Sequence, residues 1–275
     1  MSASVPAPVD VLILGAGWLW HFLQPLLDAS GQSYAATTRN GDTPGTIRWS
    51  FEEGDSERLP VASTVVVTFP VLEWDTLDRL VQGRESRFVL LGSTRAWQTG
   101  GNTSGVITRQ TPLPADPPAR SLVEEQFLAK YGDRGVVLNL AGLHGVPPDA
   151  SLAHGAPRMV PNFLKRVAPT KDALRAKQSL HLVHGTDAAL AIMRVHQEKP
   201  ATGRWIVTDG MVRDWWAIGL ELGSEEVRRW VLELMQEGDV RVLPRGGGRL
   251  GRVLDGSEFW ITFGGGPRCA GMSGA

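Results

Sequence analysis

Gly15 and Gly17 follow directly on the apolar run Val9-Asp10-Val11-Leu12-Ile13-Leu14 and precede a segment, Trp18–Leu27, that reads as a helix. A strand that ends in Gly-x-Gly and turns into a helix can seat a pyrophosphate. The first glycine permits the tight turn, the second lets the backbone approach the phosphates, and the helix N-terminus favours their charge. Trp20 holds the place where that motif carries a third glycine. An indole there must push the helix outward or reorganise the loop. At the end of the next strand, where a carboxylate would hold a ribose 2′-hydroxyl, the chain has Thr38 and Arg39. A carboxylate repels a 2′-phosphate, whereas a guanidinium binds it bidentately. The turn therefore points to NADP(H) rather than NAD(H), with Gly15, Gly17, Trp18, Thr38, Arg39, Phe69 and Pro70 as candidate nucleotide-binding residues. The plainer alternatives are a glycine turn that only joins a strand to a helix, and an Arg39 that is a solvated strand end.

In an open parallel sheet, ligands bind beyond the carboxyl ends of the strands. That rule selects Phe69-Pro70, Ser93-Thr94-Trp97 and Leu143-His144. His144 is the selected group that ordinarily titrates near neutral pH, which makes it the candidate general acid or base. A buried histidine bonded to backbone is its alternative reading. Ser93 and Thr94 complete the candidate catalytic set as donors to a carbonyl or hydroxyl, or else they cap the strand end. Arg120 and Glu124 lie four apart on one helix face. They form either a catalytic pair or the commoner solvated surface ion pair. Trp20, Trp97, Leu143 and Arg120 are the candidate substrate-binding residues, and an aromatic lining suits a hydrophobic, polycyclic or polyketide-like molecule. His181 and His184 lie three apart without a third ligand nearby, so no metal site is expected. His184 and Asp187 are assigned a structural role. The basic run Arg158, Lys165, Arg166, Lys171, Arg175, Lys177 reads as a solvated helix face, with contact to an anionic ligand as the lesser alternative.

The elements that must position these residues alternate. Strands are expected at 9–14, 33–39, 64–69, 87–91 and 135–140, with helices at 18–27, 74–81 and 119–130. Continuous apolar strands between helices indicate a parallel α/β sheet. Residues 98–118, rich in Gly, Thr and Pro, form a long loop. Beyond residue 151 the rhythm changes: a basic helical stretch at 157–177, a short strand at 180–183, a helix at 187–196 capped by Thr186 or Asp187, a strand at 204–207, and helices at 214–222 and 224–236. The expected organisation is a nucleotide-binding core over 9–150, a smaller substrate lobe over 151–263 whose segment at about 180–210 returns to the core, and a loose tail over 264–275.

The bulk properties exclude several classes. With 275 residues, 28 Lys+Arg against 29 Asp+Glu and a net charge of -1, the chain lacks the basic excess of a nucleic-acid binder. A single cysteine, Cys269, excludes a disulfide framework and a multi-thiolate zinc site. No apolar run reaches the roughly 20 residues of a membrane span, and no charged n-region precedes an apolar h-region. The expectation is a soluble, cytoplasmic protein, monomer or homodimer, acting on a small molecule.

Four segments together resemble the extended or atypical short-chain dehydrogenase/reductase superfamily, in its NAD-dependent epimerase/dehydratase-like branch. They are Val11–Gly17, Leu90–Trp97, Val137–Gly145 and Leu182–Ala189, and the likeness spans about residues 9–216. It implies an α/β, Rossmann-type doubly wound parallel sheet with a small C-terminal substrate-binding lobe. It also implies a Tyr-x-x-x-Lys pair, which this chain lacks: Tyr34 is followed four residues later by Thr38, and Tyr131 by Gly135. Arg120 and Glu124 fall in the Tyr and Lys slots, and Trp97 and His144 stand where the family carries further tyrosines. The expected function is an NADP(H)-dependent reductase or epimerase-like enzyme in which His144, Ser93 or a water replaces the tyrosine. A non-redox isomerase, dehydratase or cyclase with a degraded cofactor site is the first alternative, and a non-catalytic NADP sensor the second.

Overall fold

A computed structural model describes residues 6–52, 56–98, 105–149, 154–198 and 202–269. The chain runs β1 (Val9–Leu14), α1 (Trp20–Ser30), β2 (Tyr34–Thr38), β3 (Ile47–Arg48), β4 (Ala62–Val67), α2 (Trp74–Gln82), β5 (Arg87–Ser93), β6 (Gly105–Ile107), α3 (Ala119–Tyr131), β7 (Gly135–Leu140) and β8 (Gly142–His144). It continues through α4 (Val160–Val167), α5 (Lys171–Arg175), β9 (Ser179–Leu180), β10 (Leu182–His184), α6 (Gly185–Gln197), β11 (Gly203–Val207) and β12 (Arg213–Asp214). It ends with α7 (Trp215–Leu222), α8 (Glu225–Glu237), β13 (Arg252–Leu254) and α9 (Ser257–Phe263).

Seven strands form one parallel sheet in the order β11-β7-β5-β4-β1-β2-β3. The chain leaves β1 toward β2 and β3, then returns to the other side of β1 as β4. That reversal opens a crevice at the carboxyl ends of β1 and β4, where Rossmann-type sheets bind ligands. The central strands β1, β4, β5 and β7 are mostly apolar because both sheet faces are covered. Val11 and Ile13 point into one layer with Phe22 and Leu23 of α1, Ile192 of α6 and Phe259 of α9. Leu12 and Leu14 point the other way, to Leu77 of α2 and Phe127 of α3. This is the alternation of successive strand side chains. A separate cluster, with Leu164, Leu174, Trp215, Trp216 and Val231, holds α4, α5, α7 and α8 together.

The parallel α/β sheet is the expected one, but several boundaries differ. The first helix starts at Trp20 rather than Trp18, because residues 17–19 make a turn in which the Trp20 N–H donates to the Gly17 carbonyl at 2.9 Å. The basic stretch 157–177 is two helices, α4 and α5, divided around Pro169, whose ring disfavours a helical residue before it. The strand expected at 180–183 is two: β9 pairs antiparallel with β12, and β10 pairs parallel with β8. The cap of α6 is His184, whose Nδ1 accepts from the Thr186 N–H at 3.2 Å, in place of Thr186 or Asp187. Helix α9 was not expected. Its Phe259 and Phe263 rings lie 6.1 and 4.9 Å from Trp205 of β11. Parts of the expected long loop (99–104) and loose tail (270–275) lie outside the described residues.

Candidate functional site

The turn after β1 is held from both sides. Gly15 has φ +97°, a conformation that only glycine adopts readily. Its N–H donates to the Thr37 hydroxyl of β2 at 3.1 Å, and its carbonyl accepts from the Thr68 hydroxyl beyond β4 at 2.6 Å. The Ala16 N–H donates to the Thr37 carbonyl at 2.7 Å. At Gly17 an added Cβ would meet nothing within 4 Å, so the backbone there faces open space. This is the arrangement a pyrophosphate requires: a tight first glycine, an open second one, and a helix N-terminus behind them.

The open space belongs to a cavity of about 1010 Å³ along the carboxyl edge of the sheet. Ten of the residues singled out by sequence line it: Gly15, Gly17, Trp18, Thr38, Arg39, Phe69, Pro70, Ser93, Arg120 and Leu143. At the β2 end, Arg39 is 78% exposed and lies 4.0 Å from Glu52. Phe69 stacks edge-on to Phe51 at 5.3 Å, and Phe51 to Trp49 at 6.2 Å, which gives this end an aromatic wall. Trp18 donates its indole N–H to the Ala156 carbonyl at 3.0 Å, and the Arg158 guanidinium sits 4.4 Å from its ring centre. At the β5–β7 end the wall is aliphatic, from Leu91, Leu140, Ala141 and Leu143, with Ser93 and Arg120 as polar groups. Ser93 also accepts from the Arg95 N–H at 3.3 Å, so it caps the turn after β5.

Four sequence candidates do not line the cavity. Trp20 is buried on α1, edge-on to Tyr34 at 5.5 Å. Its indole points into the core rather than into the turn, so it does not occupy the pyrophosphate position. Trp97 is buried with Ile107, Ile206 and Leu254 and donates to the Thr111 carbonyl at 2.8 Å. Without these two indoles the case for a polycyclic substrate at the β5–β7 end loses its basis, because the aromatic wall lies at the β2 end. Thr94 is buried, and its carbonyl accepts from Arg252 at 3.2 Å.

His144 is the larger correction. It is 3% exposed, lies edge-on to His184 at 5.2 Å, and its Nε2 is buried without a partner among the described residues. Burial, reinforced by His184, pushes it down to about 4. His144 does not line the cavity, and at neutral pH its imidazole is uncharged, with no acidic proton to give and weakened as a base.

Arg120 and Glu124 are not a surface pair. Glu124 is 3% exposed. It receives Arg120 Nε at 3.3 Å, Arg204 Nη1 at 2.7 Å and Asn139 Nδ2 at 3.1 Å. Gly92 closes over this cluster: a Cβ there would fall 2.3 Å from Asn139 Nδ2 and 2.8 Å from Glu124 Oε1. Sequence reasoning missed Asn139 and Arg204. The usable signal was Asn139 itself, a polar residue inside the otherwise apolar strand 135–140. It also missed Trp49 and Phe51, which reach the cavity from a segment with no fixed spacing to the glycine turn, whereas Arg158, read as part of a solvated basic run with an anionic ligand as the lesser alternative, lines the cavity.

Among the described residues, no group of three or more His, Cys, Asp and Glu side chains is placed to hold a metal ion, and no helix is long and apolar enough to cross a membrane. No protein-family model matches the sequence, and no curated protein matches it. Solved structures do. A short-chain dehydrogenase/reductase superfamily protein from Agrobacterium tumefaciens with bound NAD superimposes with a TM-score of 0.65 at 14% identity, over 96% of this chain and 93% of that one. Vestitone reductase from alfalfa gives 0.63 at 17% identity, over 93% and 92%. RMD from Pseudomonas aeruginosa, in complex with NADPH, gives 0.58 at 16% identity, over 94% and 92%. The chain has the Rossmann-type fold of the short-chain dehydrogenase/reductase and NAD-dependent epimerase/dehydratase proteins.

Proposed function

We propose that this protein is an NADP(H)-binding enzyme of the atypical short-chain dehydrogenase/reductase type, acting as a reductase or epimerase on a small organic molecule with an apolar body. One observation carries the reading: a single cavity joins the Gly15–Gly17 turn, Arg39 at the end of β2 and Ser93 at the end of β5. The residues present fit a dinucleotide. The open face of Gly17 admits the pyrophosphate, the Trp49–Phe51–Phe69 wall suits a base, and Arg39 is placed for a 2′-phosphate. A bound nicotinamide supplies hydride chemistry at the β5–β7 end. There the Ser93 hydroxyl donates to a substrate carbonyl, and Leu91, Leu140 and Leu143 exclude water from its apolar part. NADP(H) is favoured over NAD(H) because the cation at the β2 end is exposed and only loosely paired with Glu52.

A non-redox isomerase, dehydratase or cyclase on this scaffold is the second reading. It is favoured by the fate of the two tyrosines: Tyr34 donates to Asp28 at 2.6 Å, Tyr131 is bonded to Asp78, and neither lines the cavity.

Titration with NADPH and NADH, followed by quenching of the Trp18 and Trp49 indoles, tests the first reading. NADPH is expected to bind about tenfold or more tightly than NADH, and Arg39→Ala to abolish that preference. Binding of neither nucleotide, together with turnover in their absence, would establish the non-redox reading instead.

A further inference from the structure

Charge is distributed unevenly along the cavity. Among the described lining residues the carboxylates are Asp42 and Glu52, both on the β2–β3 side. The β5–β7 end has a cation, Arg120, and no lining carboxylate to oppose it. Behind Arg120, the single carboxylate of Glu124 faces two guanidiniums, Arg120 and Arg204, so the buried cluster carries one uncompensated positive charge. Arg204 Nη2 is buried with no partner among the described residues. A buried excess charge is costly unless an opposite charge comes to meet it.

The geometry says where that charge would come from. Arg120 is ion-paired with Glu124, its Nε 3.3 Å from Oε1, and its two outer nitrogens make no hydrogen bond among the described residues. Glu124 is fixed by Arg204 and by Asn139, so the guanidinium is held in place before any ligand arrives. Two parallel N–H donors on a fixed plane match the two oxygens of a carboxylate. Leu91, Leu140 and Leu143 line the same cavity and suit an uncharged, apolar body.

We infer that Arg120 is a carboxylate-recognition residue and that the substrate is a monocarboxylic acid, with its anionic end on Arg120 and its apolar part against the three leucines. Glu124 acts as a positioning residue for that guanidinium. The inference rests on the reading of the cavity as a nucleotide-and-substrate cleft. A singly charged acid is favoured over a phosphate ester because the cluster's excess is a single charge.

Matched probes test it. Benzoylformate and its methyl ester share one skeleton and differ in the charge, and each is titrated by calorimetry with and without saturating NADPH. The acid is expected to bind roughly tenfold or more tightly than the ester, with Arg120→Gln erasing the difference, Arg120→Lys retaining part of it, and NADPH affinity moving by less than about twofold. Equal binding of acid and ester, or binding of neither, overturns the inference on the unmodified protein alone, without depending on whether a variant folds. An Arg120→Gln that weakens NADPH as much as the acid overturns it too, by assigning the guanidinium to the cofactor's phosphates. If the unmodified protein prefers acid over ester but binds no NADPH, the nucleotide reading fails while the carboxylate site stands. NADPH binding without an acid preference overturns the carboxylate site and leaves the nucleotide reading standing.

Discussion

The Thr68 hydroxyl donates to the Gly15 carbonyl at 2.6 Å, and a Cβ added at Gly15 would fall 2.6 Å from that same hydroxyl oxygen. The residue that closes the turn therefore also requires glycine there, for space as well as for φ. Gly15→Ala is expected to destabilise the fold by about 1–3 kcal/mol, the range for forcing a side chain into a disfavoured backbone region. Gly17→Ala is its contrast. Its Cβ meets no protein atom within 4 Å, so thermal stability should hold while NADPH affinity falls, because the methyl intrudes on the space that the proposed reading gives to the phosphates. Melting curves and nucleotide titrations of the two variants check this. Equal loss of stability in both would show that the turn is only a connector.

The buried carboxylate of Glu124 is bonded to Arg120, Arg204 and Asn139. Glu124→Leu removes the anion and leaves two guanidiniums without their shared carboxylate, Arg204 largely buried and Arg120 at the cavity wall. The expected loss is about 3–5 kcal/mol, typical when one partner of a buried ion pair is deleted. Urea unfolding measures it. Arg175→Ala, which removes an exposed link to Glu237, should change stability by less than about 1 kcal/mol.

Acid should weaken the fold through its histidines. Burial pushes His144 and His181 down to about 4, and His184 is lowered as well. The unfolded chain takes up these protons near the ordinary value, about 6.5, while the folded protein resists them. Stability is therefore full above about pH 6.5 and declines as pH falls toward 4, by up to ~1.4 kcal/mol per pH unit for each histidine. Asp209 opposes the shift, and Arg213 adds to it, at both His144 and His181. Urea midpoints at stepped pH give the slope. His144→Gln should flatten it by about one proton's share, and an unchanged slope would place the titration elsewhere.

The glycine-turn half of the cavity was readable because its determinants are local. Val9–Leu14, Gly15 and Gly17 lie within one short stretch, and Arg39 follows at a fixed strand end. The β5–β7 end of the cavity was not, because its geometry depends on direction rather than position. His144 and Leu143 are adjacent in β8, yet Leu143 lines the cavity and His144 turns away toward β10. Neighbouring strand residues point to opposite faces, and no sequence rule here indicated which faced the ligand. Trp97 failed because the chain leaves β5 in a helical turn, Thr94–Trp97, that carries the indole into a cluster with Ile107, Ile206 and Leu254. Arg204 was invisible because it reaches Glu124 across a sequence separation of 80 residues.

Gly185, the first residue of α6, presses on Phe22 of α1: an added Cβ would lie 2.4 Å from the Phe22 ring. The helix–sheet closeness that a third glycine provides at the nucleotide turn is absent here, since Trp20 fills that place. The close approach is made instead between the two helices, at Phe22 of α1. Phe22 in turn meets Trp18 at 4.7 Å and His184 at 5.6 Å, so the contact connects the cavity wall to the cap of α6. Gly185→Ala should therefore destabilise the protein by about 1–3 kcal/mol through overpacking and disturb Trp18 as well. Phe22→Leu alone should cost about 1 kcal/mol, and in combination it should recover part of the glycine variant's loss, giving a coupling of about 0.5 kcal/mol or more. Denaturant unfolding of the four proteins, with Trp fluorescence as the probe, completes the cycle. Strict additivity would mean that the two helices adjust independently and that Trp18 is not held through this contact.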